Sequence, residues 1–196
     1  MAPGILPFLL WPVPHKDPLA PLLAQIILAL FALIVIALFL SWSRIARADV
    51  GNRDRAAAIL GYAVTVLVTI LLFPAHIECG LTVLAVLAFG DGAATLFGKL
   101  LRGPRLPWNQ DKTVAGFIGF LALGIPLATV IYWGESNNLQ AIGPAATMLQ
   151  ALWVALAGVL AGAVAESLPM KLNDNFRVGL AAAVGIVTMH AAIFGI

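Results

Sequence analysis

The chain has 196 residues, of which 62% are hydrophobic and only 10% charged, and its formal charge is +2. A soluble domain carries about a quarter charged residues, so a water-exposed surface cannot be built from this composition and lipid must be the solvent for most of the chain. The few cations are dispersed, which excludes a nucleic-acid-binding face. The lone cysteine, Cys79, excludes an internal disulfide and any cysteine-built metal site.

In chain order, residues 1–18 are apolar but hold Pro3, Pro7, Pro12, Pro14 and Pro18. That proline density predicts an irregular interfacial segment anchored by Trp11. Its start lacks the basic residues of a cleavable signal peptide, and none is expected. Six apolar runs follow, near 19–40, 56–74, 77–98, 113–133, 147–167 and 176–196, each close to the 20 or so residues needed to cross a hydrocarbon core. The expected fold is therefore all-α: a polytopic transmembrane bundle of about six spans, forming one domain over 19–196. Every Lys and Arg except Lys16 falls in three connections, after the first, third and fifth spans. Positive-inside bias then predicts a bacterial-type inner membrane protein, or its equivalent, with those loops cytoplasmic and both termini outside.

Asp91 lies within the third span, in Phe89-Gly90-Asp91-Gly92-Ala93-Ala94-Thr95. A carboxylate inside a membrane costs about 2.5–3.5 kcal/mol on insertion scales and marks a functional site by default; the structural alternative is a hydrogen-bonded packing aspartate. Ala94, Thr95 and Gly98 continue the same helical stripe, giving it a small, slightly polar face. The next loop carries Lys99, Arg102, Arg105 and Lys112 and ends where the fourth span begins at Thr113. A lysine beside a helix N-terminus suits a polyphosphate, and Gly116 and Gly119 allow close approach of backbone or ligand. Arg102 is better explained as a topology determinant that touches anionic headgroups, and Arg105 admits the same reading, which is weaker for Lys112. At the end of the fifth span, Gly158, Gly162 and Glu166 are spaced by four, a stripe open to either internal or intersubunit packing. Asp174 and Asn175 then stand where a helix N-cap is expected.

Asp91, Lys112, Glu166 and Asp174 come from three separate segments, and the topology places them all at one boundary. Carboxylates that hold Mg²⁺ and cations that neutralise phosphates are what phosphoryl transfer requires. No other clustering of polar groups is expected. His76 and Glu78 read as interfacial, and His190 as hydrogen-bonded to a neighbouring helix.

Phe89-Gly90-Asp91-Gly92-Ala93-Ala94, followed by Asn109-Gln110-Asp111-Lys112-Thr113-Val114-Ala115-Gly116, resembles the signature of the phytol kinase, dolichol kinase and phosphatidate cytidylyltransferase group. Glu166-Ser167-Leu168-Pro169 with Asp174-Asn175 is similar to a second element of its kinase branch. The cytidylyltransferase pattern Ser-Pro-Lys-Lys-Thr-x-Glu-Gly is absent at 109–116. The resemblance implies a CTP-dependent kinase that transfers the γ-phosphate to a membrane isoprenoid alcohol, with Mg²⁺ as cofactor and CTP as co-substrate. It implies catalytic roles for Asp91, Lys112 and Glu166. Nucleotide contacts fall on Lys99, Arg105, Asn109, Lys112, Thr113 and Gly116, and metal contacts on Asp91, Glu166, Asp174 and Asn175. Expected partners are CTP, the alcohol and the bilayer, with a homo-oligomer left open and no nucleic acid. The alternatives are CMP transfer to a lipid phosphate, a CTP-dependent diacylglycerol kinase, and a small proton-coupled transporter using Asp91 and His190.

Overall fold

The computed structural model describes residues 52–73, 75–139, 141, 143–170 and 173–195. The interfacial segment 1–18 and the first expected span, 19–40, lie outside them. The described elements are α1 (Asn52–Leu72), α2 (Ile77–Leu101), β1 (Arg105–Leu106), β2 (Asn109–Thr113), α3 (Val114–Ser136), α4 (Met148–Ser167) and α5 (Asp174–Phe194). α2 to α5 are each long and apolar enough to cross a membrane, and α1 contains a shorter apolar stretch, Leu60–Ile70. The architecture is consistent with a polytopic membrane bundle, and the expected spans near 77–98, 113–133, 147–167 and 176–196 are each met by such a helix.

α2 is the most enclosed of the four long apolar helices. α3 packs against it and against α4, α4 lies along α5, and α1 covers α2 and α5. Small residues make these approaches close. A Cβ added at Gly116 would lie 2.8 Å from the carbonyl oxygen of Ala94, so the start of α3 rests directly on the backbone of α2. Gly158 and Gly162 turn inward, toward Ile186 of α5 and toward Phe120, Val86 and Val178 respectively. The stripe they form therefore serves packing within the chain.

α2 is not a regular α-helix throughout. Val86–Asp91 forms a π-helical turn, after which α-helical geometry resumes at Gly92. Such turns accommodate one extra residue and recur at functional sites. α2 also runs to Leu101, three residues past its expected end, and stops at Arg102, which adopts a left-handed conformation (φ 44°). Asp91 is consequently about 15 Å from that end, at 1.5 Å per residue.

The basic connection is ordered. β1 and β2 form an antiparallel hairpin, with Arg105 opposite Thr113 and Leu106 opposite Asn109, and the Val114 N–H donates to the Pro104 carbonyl at its base. This short hairpin is the one addition to the all-α bundle among the described residues. Pro107-Trp108 make the reversal, and β2 is buried at its two ends, Asn109 and Thr113, and exposed at Gln110 and Asp111.

The helix starts carry conventional caps. Thr113 Oγ1 accepts from the Gly116 N–H, and Thr147 and Gln150 form a reciprocal capping box. α5 is capped by Asn173, whose Oδ1 accepts from the Phe176 N–H. The expected capping pair, Asp174 and Asn175, thus lies one position too late, and Asp174 becomes the first residue of the helix.

Candidate active site

Helix ends and the hairpin converge at one end of the bundle. β2 carries Lys112 to the gap between the end of α4 and the start of α5. There its Nζ donates to Glu166 Oε1 at 2.6 Å and to Asp174 Oδ2 at 2.8 Å. Asp174 is held from the other side by Arg177, at 3.0 Å, and Arg177 also donates to the Leu168 carbonyl. The Lys112 side chain is 27% exposed, and those of Glu166 and Asp174 are 10% and 44% exposed. Burial by itself would lower the Lys112 pKa, but the two carboxylates outweigh it and leave the ammonium above the ordinary lysine range. Lys112 is therefore a fixed cation at any physiological pH. Glu166 is only half satisfied: its Oε2 is buried without a hydrogen-bond partner among the described residues.

This cluster borders a cavity of about 850 Å³. Lys99, Arg102 and Arg105 line it from one side, Lys112 and Glu166 from another, and Thr113, Gly116, Phe117 and Phe120 form the wall at the start of α3. The volume is in the range of small-molecule sites. Four cations and two carboxylates, Asp111 and Glu166, line the space, and such a net positive lining attracts anions.

Asp91 is half-buried at the end of the π turn, and the cavity lining begins one helical turn beyond it, at Ala94 and Thr95. Its carboxylate interacts electrostatically with Lys112 and Asp174, and with Glu166. It lies deeper in the bundle than Lys112 and makes no hydrogen bond or ion pair with that cluster among the described residues.

Four sequence-derived candidates, Asp91, Asn109, Asp174 and Asn175, are not part of the cavity lining. Asn109 is buried, donates to the Ser167 carbonyl at 3.1 Å and accepts the Asp111 N–H at 3.1 Å. Its amide ties the hairpin to α4. Asn175 follows Asp174 in the first turn of α5 and does not line the cavity. Conversely, Arg177 has a larger part than its reading as a topology determinant allowed. The signal was present in its spacing from Asp174, three positions along one helix.

Curated proteins with similar sequences share a theme. The chain is 27% identical over 136 residues to a probable phytol kinase 1, chloroplastic, of Glycine max, covering 67% of this chain and 43% of that protein. It is 32% identical over 126 residues to phytol kinase 1, chloroplastic, of Arabidopsis thaliana, covering 62% and 40%. It is 31% identical over 105 residues to farnesol kinase, chloroplastic, of the same plant, covering 53% and 33%. These similarities support a phytol/prenol kinase family assignment. It spans 33–43% of the length of these relatives. No protein-family model matches it, and no solved structure does.

A second polar cluster occupies the opposite end of the bundle, against the expectation of a single one. His76 Nδ1 lies 3.1 Å from Glu78 Oε1 at the start of α2, and His190 of α5 reaches the same carboxylate at 3.9 Å. His190 Nδ1 is also 2.6 Å from the Tyr132 hydroxyl of α3, the interhelical bond expected of it. One ligand atom from each of His76, Glu78 and His190 falls within 4.8 Å of the others, a set with the composition to hold a divalent ion. Antiparallel helices bring these positions together, which the spacing along the chain conceals.

Proposed function

We propose that this chain carries the catalytic site of a lipid-alcohol kinase, which transfers the γ-phosphate of a nucleoside triphosphate to the hydroxyl of a membrane isoprenoid alcohol. The observation that carries this reading is the meeting of Lys112 with Glu166 and Asp174 at the wall of a cationic cavity. The relatives named phytol and farnesol kinase support the acceptor class. CTP as donor rests on the signature at 89–116, and the cytoplasmic placement of this end on the distribution of basic residues.

In this reading the triphosphate enters the cavity among Lys99, Arg102, Arg105 and Lys112. The start of α3, with Thr113 and Gly116, lies against it. The residues also fit a hard divalent cation, because the donors are carboxylate oxygens and Glu166 keeps a buried oxygen without a partner. Asp91, Glu166 and Asp174 would hold Mg²⁺, which when bound neutralises charge on the transferred phosphoryl group. The alcohol approaches from the bilayer with its tail left in lipid. Its oxygen forms the new P–O bond as the bond to the β–γ bridging oxygen breaks. Asp91 or Glu166 accepts the hydroxyl proton, and the nucleoside diphosphate leaves. Arg177 acts at one remove, by orienting Asp174.

The test is incubation of the purified chain in lipid with γ-labelled CTP or ATP and a panel of phytol, geranylgeraniol, farnesol, a polyprenol and diacylglycerol. Label in a prenyl phosphate supports the proposal, and label in phosphatidate moves it to the diacylglycerol branch. Lipid labelled only from α-labelled CTP would replace it with CMP transfer. Nucleotide-independent solute flux in liposomes, with no labelled lipid, would replace it with transport.

A further inference from the structure

The cluster at the far end of the bundle has no part in the reaction above. A helix of 20 or more residues, rising about 1.5 Å each, separates it from Lys112 by roughly 30 Å. Its composition is nonetheless specific. Two imidazoles and a carboxylate converge from the start of α2 and the last turn of α5. Glu78 is 4% exposed and His190 2% exposed. The rings of His76 and His190 meet edge to face, with centroids 4.5 Å apart. Gly143, from the connection between α3 and α4, closes the cluster: a Cβ there would lie 3.6 Å from His76 Nδ1 and 3.7 Å from Glu78 Oε1.

We infer that His76, Glu78 and His190 form a binding site for a divalent transition-metal ion of the zinc type, which clasps the start of α2 to the end of α5.

Three features carry this. The donor set, two nitrogens and one oxygen, favours zinc-like ions over Mg²⁺ or Ca²⁺, which take oxygen ligands. The spacing is near that of a bound site. Ligands about 2.1 Å from a tetrahedral ion sit roughly 3.4 Å apart, so atoms already within 4.8 Å need only side-chain rotation to close. Finally, the coordination of His190 is incomplete. Tyr132 engages Nδ1, while Nε2 is buried with no hydrogen-bond partner among the described residues. Ligation through Nε2 would leave Nδ1, which lies 3.9 Å from Glu78, with the Tyr132 hydroxyl, and a metal-binding histidine is usually held in this way through its second nitrogen. The alternative is a simple ion pair between a protonated His76 and Glu78, which needs no metal and leaves His190 Nε2 unexplained.

The experiment uses the full chain without a polyhistidine tag, purified in detergent and stripped with a chelator. Zn²⁺ is titrated by calorimetry with Mg²⁺ in parallel, and Co²⁺ binding is followed by visible absorption. The expected result is one Zn²⁺ per chain and a rise in Tm on loading. Co²⁺ should give d–d bands of a nitrogen- and oxygen-ligated ion without a thiolate charge-transfer band, and Mg²⁺ should not compete. His76→Gln, at the partly exposed ligand, should weaken Zn²⁺ at least tenfold and abolish the Tm rise while the stripped protein melts as before. Lys112→Met, at the other end, should bind Zn²⁺ normally. Absence of stoichiometric Zn²⁺, equal affinity in His76→Gln, or a thiolate band implicating Cys79 would each overturn the assignment. If His76→Gln fails to fold, the wild-type stoichiometry and Co²⁺ spectrum decide alone. None of these readouts depends on the kinase reading.

Discussion

Lys112 Nζ and Glu166 Oε1 are 54 positions apart in the chain and 2.6 Å apart in space. One belongs to a short strand and the other to the end of a membrane helix, so the pair forms only when the hairpin is seated on α4. Lys112→Met should therefore do two things. It should lower activity at least a hundredfold, because the cation facing the phosphates is gone. It should also destabilise the fold by about 1–3 kcal/mol, since Glu166 is left buried without its counter-charge; Lys112 is partly exposed, which keeps the cost below that of a fully buried pair. Radiolabel transfer and thermal unfolding in detergent check the two effects. A variant with normal turnover would remove Lys112 from the site.

The ion pairs of Lys112 have a definite pH dependence. Its pKa in the folded chain lies above the ordinary 10.5, so pairing contributes its full stability below the unfolded value and loses it as pH rises through the folded one. The Tm difference between wild type and Lys112→Met should shrink as pH rises above about 10. A difference that already fell between pH 7 and 9 would contradict a lysine held by two carboxylates.

Asp91→Asn keeps the shape of the side chain and removes its charge. Turnover should fall at least a hundredfold, while membrane insertion and Tm change little, because a neutral amide is easier to bury than a carboxylate. Near-normal phosphate transfer would return Asp91 to a packing role.

Asn109 separates bracing from binding. Asn109→Ala deletes a bond to the Ser167 carbonyl and one from the Asp111 N–H, so a loss of about 1–3 kcal/mol in unfolding free energy is expected. The nucleotide KM should rise only as far as the hairpin loosens. An unchanged Tm with a large rise in KM would instead make Asn109 a direct nucleotide contact.

Gly116→Ala tests the seam between α2 and α3. The new methyl would meet the Ala94 carbonyl at 2.8 Å. That obstruction is backbone and cannot rotate away, so overpacking should cost about 1–3 kcal/mol and shift the cavity wall. Unfolding of the variant in detergent measures it, and wild-type stability would mean that α3 can slide.

The spans were legible because twenty apolar residues bounded by charge have few alternatives in lipid, and the expected segment at 113–133 is met by a helix over Val114–Ser136. The gathering of Lys112, Glu166 and Asp174 was legible from sidedness: residues at like ends of antiparallel spans share a boundary. Three things were not. The hairpin at 105–113 has too few residues for a periodic signal, and its prolines read as a loop. Asn173, in place of Asp174 or Asn175, caps α5 because three adjacent polar residues can each cap a helix and only packing selects among them. The His76, Glu78 and His190 cluster needs α2 and α5 side by side, and helical order along the chain does not specify neighbours.

The π turn at Val86–Asp91 means that α2 carries one residue more than a regular helix joining the same two ends would need. A version of α2 shorter by one residue there would keep Glu78 at one extremity and the Ala94–Gly98 seam at the other in their present phase. What would be lost is the local widening from which Asp91 projects. The surplus residue is thus silent for the packing of the bundle and decisive for where its innermost charge is displayed, so a single-codon deletion in this turn would uncouple the two.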